Sequence, residues 1–246
     1  MSTPVRGRVR VAQGAKRVRV YLRGQVVADT VHPLLVWEVP YYPTYYFPRA
    51  DVVSGFLTSS DRTSHSPSRG DGVLSTIKVS GAEAVDGALE YRDSPIEELR
   101  DHVRFDFAAF DWFEEDERIF THPRDPGVRV DILPSSRHVR IEVDGVTVAE
   151  STRPHLLFET GLPTRYYLPR VDVRMDLLEL SDTVSHCPYK GTTEYFSVAA
   201  HRDLAWSYPT PLPESTRVAG LVAFTDEKVD VYVDGVLQER PKTKFA

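Results

Sequence analysis

Hydrophobic and polar residues alternate along several short stretches of the chain. In Val18–Leu22 and again in Val139–Val143, every second residue is Val, Ile or Leu, and the residues between them are polar or aromatic. Alternation with a period of two, rich in β-branched residues, is typical of strands that bury one face. The two stretches therefore predict half-buried β-strands.

Turn signals are frequent, whereas helix signals are scarce. Asp144-Gly145 and Asp234-Gly235 each stand beside an alternating run, and Asp-Gly is a strong hairpin signal. The best helix candidate is Ser94–Arg100, with Ser as the N-cap, Pro at the first position and Glu three residues after the cap. It predicts a helix of about two or three turns at most. The chain is therefore predicted to be mainly β, an antiparallel fold with short helical insertions.

The chain repeats itself at a spacing of 121 residues. Residues 24–70 align with residues 145–191 without a gap, and 19 of the 47 pairs are identical. Tyr45–Arg49, for example, falls on Tyr166–Arg170. The density of Pro and Gly near residues 122–127 is typical of a boundary turn. We predict two homologous tandem domains, over residues 1–122 and 123–246.

Composition narrows the class of protein. With 41% hydrophobic and 27% charged residues, the chain has the make-up of a globular protein and not of a disordered one. No signal peptide is visible and no stretch approaches the ~18 apolar residues of a membrane helix. This pattern predicts a cytoplasmic protein without a membrane partner.

Charge and residue usage add further expectations. A net charge of −6 argues against a nucleic-acid partner, while self-association stays open. The single cysteine excludes an internal disulfide. The absence of Asn, together with 24 Arg against 6 Lys, indicates high-GC codon usage and hence a bacterial source.

Motifs in the second half of the chain resemble a known family. Tyr166–Arg170 is followed by Cys187–Gly191 (Cys-Pro-Tyr-Lys-Gly), by Ala205–Pro209 (Ala-Trp-Ser-Tyr-Pro) and by Gly220–Phe224. This order resembles the bacterial DUF427 domain over nearly all of the second copy and, more weakly, over the first. The resemblance implies a compact, tent-like β domain in each copy and no established activity. A nucleotidyltransferase label attached to the family does not fit, because the Gly-Ser turn and paired acidic residues of those enzymes are not found.

The two copies differ at the positions whose side chains are candidates for catalysis or ligand binding. Cys187–Lys190 in the second copy replaces Ser66–Arg69 in the first, and Glu90 aligns near Trp206. The shared Pro and Gly suit a turn, whereas the differing residues include a thiol and an indole. We therefore predict one retained site in the second copy and a degenerate site in the first.

The predicted site combines a cation, a thiol and an aromatic set. Lys190 suits an anionic group, and Trp206 suits stacking on a planar one. We expect a small anionic or planar metabolite to bind there. No cofactor or metal is expected, since no cluster of His, Cys or carboxylates recurs. The predicted ligand-binding residues are Tyr167, His186, Tyr189, Lys190, Trp206 and Tyr208, with Cys187 as the candidate catalytic residue.

Two alternatives stay open at this point. One is an enzyme that uses Cys187 as a nucleophile or redox thiol, since a thiolate beside a cation is reactive. The other is a structural or protein-interaction module in which these residues are core, because free cysteines and tyrosines are also common there.

Overall fold

The computed structural model describes residues 9–243, which divide into two compact units. Contacts within the chain separate unit 1, Met1–Asp125, from unit 2, Pro126–Ala246. The sequence places the boundary after residue 122.

The described residues of unit 1 form two antiparallel sheets. Within its described residues, the strands are β1 (Arg10–Gln13), β2 (Val18–Leu22), β3 (Gln25–Thr30), β4 (Leu34–Val39), β5 (Tyr42–Pro48), β6 (Leu57–Ser66), β7 (Gly70–Val79), β8 (Ala82–Glu90), β9 (His102–Phe105), β10 (Asp111–Glu114) and β11 (Glu117–Ile119). The larger sheet has the order β1-β4-β5-β9-β8-β7-β6 and the smaller one β11-β10-β2-β3. Short 3-10 helices lie at Arg49–Asp51, Glu97–Leu99 and Phe107–Ala109.

Unit 2 repeats this plan with shorter, more divided sheets. Its described strands are β12 (Val130–Pro134), β13 (Val139–Val143), β14 (Val146–Ser151), β15 (His155–Glu159), β16 (Arg165–Tyr167), β17 (Leu178–Leu180), β18 (His186–Cys187), β19 (Gly191–Thr192), β20 (Glu194–Val198), β21 (His201–Ser207), β22 (Val222–Phe224), β23 (Asp230–Val233) and β24 (Val236–Leu237). The sheet orders are β12-β15-β16, β14-β13-β23-β24, β17-β20-β21-β22 and β18-β19. The 3-10 helices of this unit are Arg170–Asp172, Met175–Leu177 and Pro213–Val218.

The prediction of a mainly β, antiparallel fold is confirmed. Strands β2 and β13 alternate between buried and half-buried residues, as their sequences predict. Asp144 and Gly145 form the two-residue turn between β13 and β14, with φ of 51° and 77°. Asp234 and Gly235 do the same between β23 and β24. Positive φ at both positions is the geometry that matches the twist of hairpin strands.

The helix predicted at Ser94–Arg100 is wrong in length, because only one 3-10 turn forms, at Glu97–Leu99. The Ser94 hydroxyl accepts a hydrogen bond from the Ile96 N–H at 3.1 Å, which closes a local turn instead of capping an α-helix. The chain then enters β9 at His102 and leaves no room for more turns. Among the described residues, no helix has the length and apolar character that a membrane crossing needs.

Each unit has a larger and a smaller hydrophobic core. In unit 1, the larger core lies between the two sheets and includes Val20, Trp37, Phe47 and Trp112. The smaller core lies on the opposite face of the larger sheet, because alternate residues of a strand face opposite sides. Its buried members are Leu34, Val36, Tyr46, Leu89, Tyr91 and Leu99.

Unit 2 has the same two cores. Val139, Ile141, Leu168 and Phe224 belong to the larger one. The smaller one consists of Ile132, Leu157, Tyr167, Tyr208, Val218 and Ala223, with Cys187 and Trp206 packed against it at its partly exposed edge. Most of the predicted site residues therefore lie in or beside the smaller core.

Candidate functional site

A tight hairpin, β18 and β19, carries the Cys-Pro-Tyr-Lys-Gly motif of unit 2. Cys187 pairs with Gly191 across it. Gly191 has a φ of 106°, and a side chain there would approach the backbone of Thr210 and Leu212 at 3.3 Å. The Leu212 N–H donates to the Lys190 carbonyl at 3.0 Å. The glycine is thus required by a close approach that fixes the hairpin against residues 210–212.

Lys190 forms a buried ion pair. Its ammonium lies 2.5 Å from Oε2 of Glu159, and only 11% and 10% of the two side chains are exposed. Burial lowers the pKa of Lys190, but the Cys187 thiol and the Glu159 carboxylate raise it, and the net direction is upward. Lys190 is therefore protonated, and the Glu159 carboxylate balances its charge.

The candidate nucleophile, Cys187, is partly exposed and lies beside the Lys190 ammonium. His186, the preceding residue, is exposed, and its Nδ1 lies 2.9 Å from the Thr192 hydroxyl. Adjacent strand residues face opposite sides, so His186 is on the other side of the hairpin from the smaller core. Tyr189 is half-buried at the turn, where its carbonyl accepts a hydrogen bond from Ser215.

Two tyrosines and a tryptophan form the wall of the site. The indole Nε1 of Trp206 donates to the hydroxyl of Tyr167 at 3.2 Å, and the two rings meet edge to face. Tyr167 and Tyr208 are almost fully buried, and burial raises the pKa of both hydroxyls. Cys187 packs against the cluster that contains both tyrosines, and it raises the pKa of both hydroxyls as well.

The structure therefore brings together most of the predicted residues. Five of them lie in or beside the smaller core: Tyr167, Cys187, Lys190, Trp206 and Tyr208. His186 faces away from it, and Tyr189 contributes its backbone at the rim. Within residues 9–243, no group of three His, Cys, Asp or Glu side chains is placed to hold a metal ion.

Two further residues, Glu159 and Arg165, belong to this site and were not predicted from the sequence. Glu159 is identical to Glu38 at the 121-residue spacing, and this identity is the signal that points to it. Arg165 gives no such signal, since Thr44 occupies its place in unit 1.

Arg165 connects the aromatic wall to two acidic residues. Its guanidinium lies 5.9 Å from the centre of the Trp206 ring. It forms two hydrogen bonds to Glu227, at 2.5 and 2.8 Å, and an ion pair with Asp226 at 3.3 Å. Burial raises the pKa of Asp226 to about 7, although Arg165 opposes this. Burial also raises the pKa of Glu227, but the hydrogen bonds from Arg165 and Thr243 lower it to about 2.

Unit 1 contains a related arrangement at the equivalent positions. The Tyr46 hydroxyl donates to Oε1 of Glu38 at 2.6 Å, and Arg69 forms an ion pair with Oε2 at 3.9 Å. Arg104 adds a second cation, its Nε 3.1 Å from Oε1. The cation, carboxylate and tyrosine therefore occur in both units, whereas the thiol is replaced by Ser66.

The strand register corrects the counterpart of Trp206. Phe47 pairs with Val103, and its counterpart Leu168 bridges Val222, so Arg104 is equivalent to Ala223. Since Leu89 pairs with Arg104 and Trp206 pairs with Ala223, Leu89 and not Glu90 is equivalent to Trp206. Glu90 points to the other face of the strand, where it pairs with Arg49 and Arg92.

Comparison with protein-family models finds the same domain in both units. A family model described as a domain of unknown function (DUF427) matches residues 10–116 and, a second time, residues 131–235. One match falls in each unit. No curated protein matches the chain.

Proposed function

The chain belongs to the DUF427 family, as two tandem copies, and we propose a function for it from the site of unit 2: this site binds a small planar molecule against Trp206 and Cys187. The description of the family names no function. The observation that carries the proposal is the composition of the smaller core. Two partly exposed groups, the Trp206 ring and the Cys187 thiol, pack against a buried cluster that contains Tyr167 and Tyr208. The buried Lys190–Glu159 ion pair lies beside the thiol.

The charge balance of the Lys190–Glu159 pair favours a planar ligand over a free anion. Lys190 is neutralised by Glu159 at 2.5 Å, so an anion would compete with a carboxylate already in place. An ammonium has three N–H donors, so Lys190 can also donate to a ligand oxygen or nitrogen. The N–H donors of Lys190 thus orient the ligand, and the Trp206 ring provides the surface on which it stacks.

Thermal denaturation with planar probes tests the proposal. Adenine, riboflavin and salicylate would each be added to the full chain, and a rise in Tm would indicate binding. Trp206→Leu installs the residue that unit 1 has at this position and is expected to abolish the rise. Arg174→Ala, which removes an exposed ion pair with Asp176, is the matched control and should leave the rise unchanged. The proposal fails if no probe raises Tm, or if Trp206→Leu keeps the full effect.

A second function, an enzyme with Cys187 as nucleophile or redox thiol, is favoured by the position of the thiol beside an ammonium. Iodoacetamide tests it, because the Cys187 sulfur would displace iodide and form a thioether. Reaction of the native chain at a rate near that of the unfolded chain would support an accessible, reactive thiol. Reaction only after unfolding would identify Cys187 as a structural residue and favour a structural or interaction module.

A further inference from the structure

The counterpart site in unit 1 has an excess of positive charge. Two guanidinium groups, Arg69 and Arg104, face a single carboxylate, Glu38. Among the described residues of unit 2, Lys190 forms its ion pair with Glu159, and Ala223 takes the place of Arg104. Unit 1 therefore holds one more cation than the balanced pair of unit 2.

Both guanidiniums have unused hydrogen-bond donors. Among the described residues, Nε of Arg69 and Nε of Arg104 are buried and have no hydrogen-bond partner. Nε of Arg104 lies near Glu38 Oε1 without hydrogen bonding to it, and that oxygen already accepts from Tyr46. A buried donor without a partner is costly, so an additional acceptor would stabilise this arrangement.

The surroundings allow an acceptor to approach. The side chains of Arg69 and Arg104 are 14% and 30% exposed, so the pair is shielded from bulk water but still reachable. The Arg69 guanidinium also lies 5.3 Å from the centre of the Tyr91 ring, and this buried ring limits its movement. Two planar guanidiniums held in this way match the geometry of an oxyanion, which can accept two parallel hydrogen bonds from each.

We propose that unit 1 binds the carboxylate or phosphate group of a small molecule between Arg69 and Arg104. The site that the sequence predicts to be degenerate thus differs in ligand chemistry from the site of unit 2. It depends on different residues from those of the planar-ligand proposal, so the two proposals can fail separately.

Calorimetric titration of the full chain tests this inference, with inorganic phosphate and acetate as separate probes at constant ionic strength. We expect heat of binding with at least one probe at millimolar concentration, and the probe that binds identifies the anion class. Arg104→Ala, which copies Ala223, is expected to weaken binding by about tenfold or more. Arg69→Lys, which copies Lys190, is expected to weaken it because the planar donor pair is lost.

Arg62→Ala is the matched control, because Arg62 is a 70% exposed arginine of unit 1 that pairs with Asp86. Its binding should equal that of the unmodified chain. Circular dichroism of each variant reports whether the fold is kept, and Arg69→Lys decides the question if Arg104→Ala does not fold. The inference is overturned if neither probe binds, or if folded Arg104→Ala or Arg69→Lys binds as tightly as the control.

Discussion

Trp206 donates its indole hydrogen to the hydroxyl of Tyr167 at 3.2 Å. This bond joins a partly exposed ring to a phenol that is 1% exposed. The aromatic wall of unit 2 is therefore fixed by a hydrogen bond as well as by packing, and each contribution can be removed separately.

Trp206→Phe keeps a ring but removes the donor. We expect the free energy of unfolding to fall by about 1 kcal/mol, the net contribution of a typical hydrogen bond. Urea denaturation of the two proteins measures the difference. A second variant, Tyr167→Phe, removes the same bond from the other side and should cost a similar amount. A loss well above this in Trp206→Phe alone would show that packing, and not the bond, dominates.

The Lys190–Glu159 pair is buried on both sides, so removal of one partner leaves an unpaired charge. Lys190→Met is expected to lower the free energy of unfolding by about 3–5 kcal/mol, and the double variant with Glu159→Leu should recover much of that loss. Urea denaturation again gives the values. The exposed pair Arg174–Asp176 provides the comparison, since Arg174→Ala should change stability far less than Lys190→Met does.

The raised pKa of Asp226 predicts that the free energy of unfolding depends on pH. Its pKa in the folded chain is about 7, against ~3.9 in an unfolded chain. Between these values the native state holds a proton that the unfolded state has lost, so this group's contribution to stability is complete below ~4 and declines as pH rises to about 7.

The change Asp226→Asn removes this titration. The free energy of unfolding of the unmodified chain, minus that of the variant, should therefore fall between pH 5 and 7 by up to ~1.4 kcal/mol per pH unit. Urea denaturation at several pH values measures it. Groups common to both proteins cancel in the difference, and a difference independent of pH would contradict the prediction.

Substitutions at Gly191 and Gly220 distinguish two energetic costs of adding a side chain: the strained backbone conformation and the steric contact with neighbouring atoms. Both have positive φ, 106° and 68°, but only at Gly191 would a Cβ meet backbone atoms, at 3.3 Å. Gly220→Ala should cost about 1 kcal/mol for the backbone conformation, and Gly191→Ala should cost more, about 1–3 kcal/mol in addition for the close contact. Comparison of the two melting curves decides this, and equal losses would mean that the hairpin moves freely away from residues 210–212.

The sequence predicted the strands and hairpins where local signals agree with the fold. The alternation in Val18–Leu22 and the turn at Asp144-Gly145 are of this kind. It overestimated the helix after Ser94, because the signals of an N-cap also occur in a hydrogen-bonded turn, and because β9 begins too soon for more helical turns.

The site could be predicted only in part, because long-range pairing decides which residues meet. Cys187 and Lys190 are close in sequence and share a hairpin, whereas Glu159 reaches Lys190 across 31 residues. Arg165 lacks a counterpart in unit 1, so the repeat could not reveal it. Strand register was also needed to show that Leu89, and not Glu90, corresponds to Trp206.

The division of each unit into two cores has a consequence for how the duplicated copies diverge. The larger core holds the sheets together, so mutations there are constrained by folding. The ion pairs and tyrosines of the candidate sites lie in or beside the smaller core. There, Leu, Arg and Ser of unit 1 correspond to Trp, Ala and Cys of unit 2, while the carboxylate and tyrosine are the same. Under the two proposals, gene duplication supplies two ligand-binding surfaces from one scaffold, because the copies differ at these few positions of the smaller core.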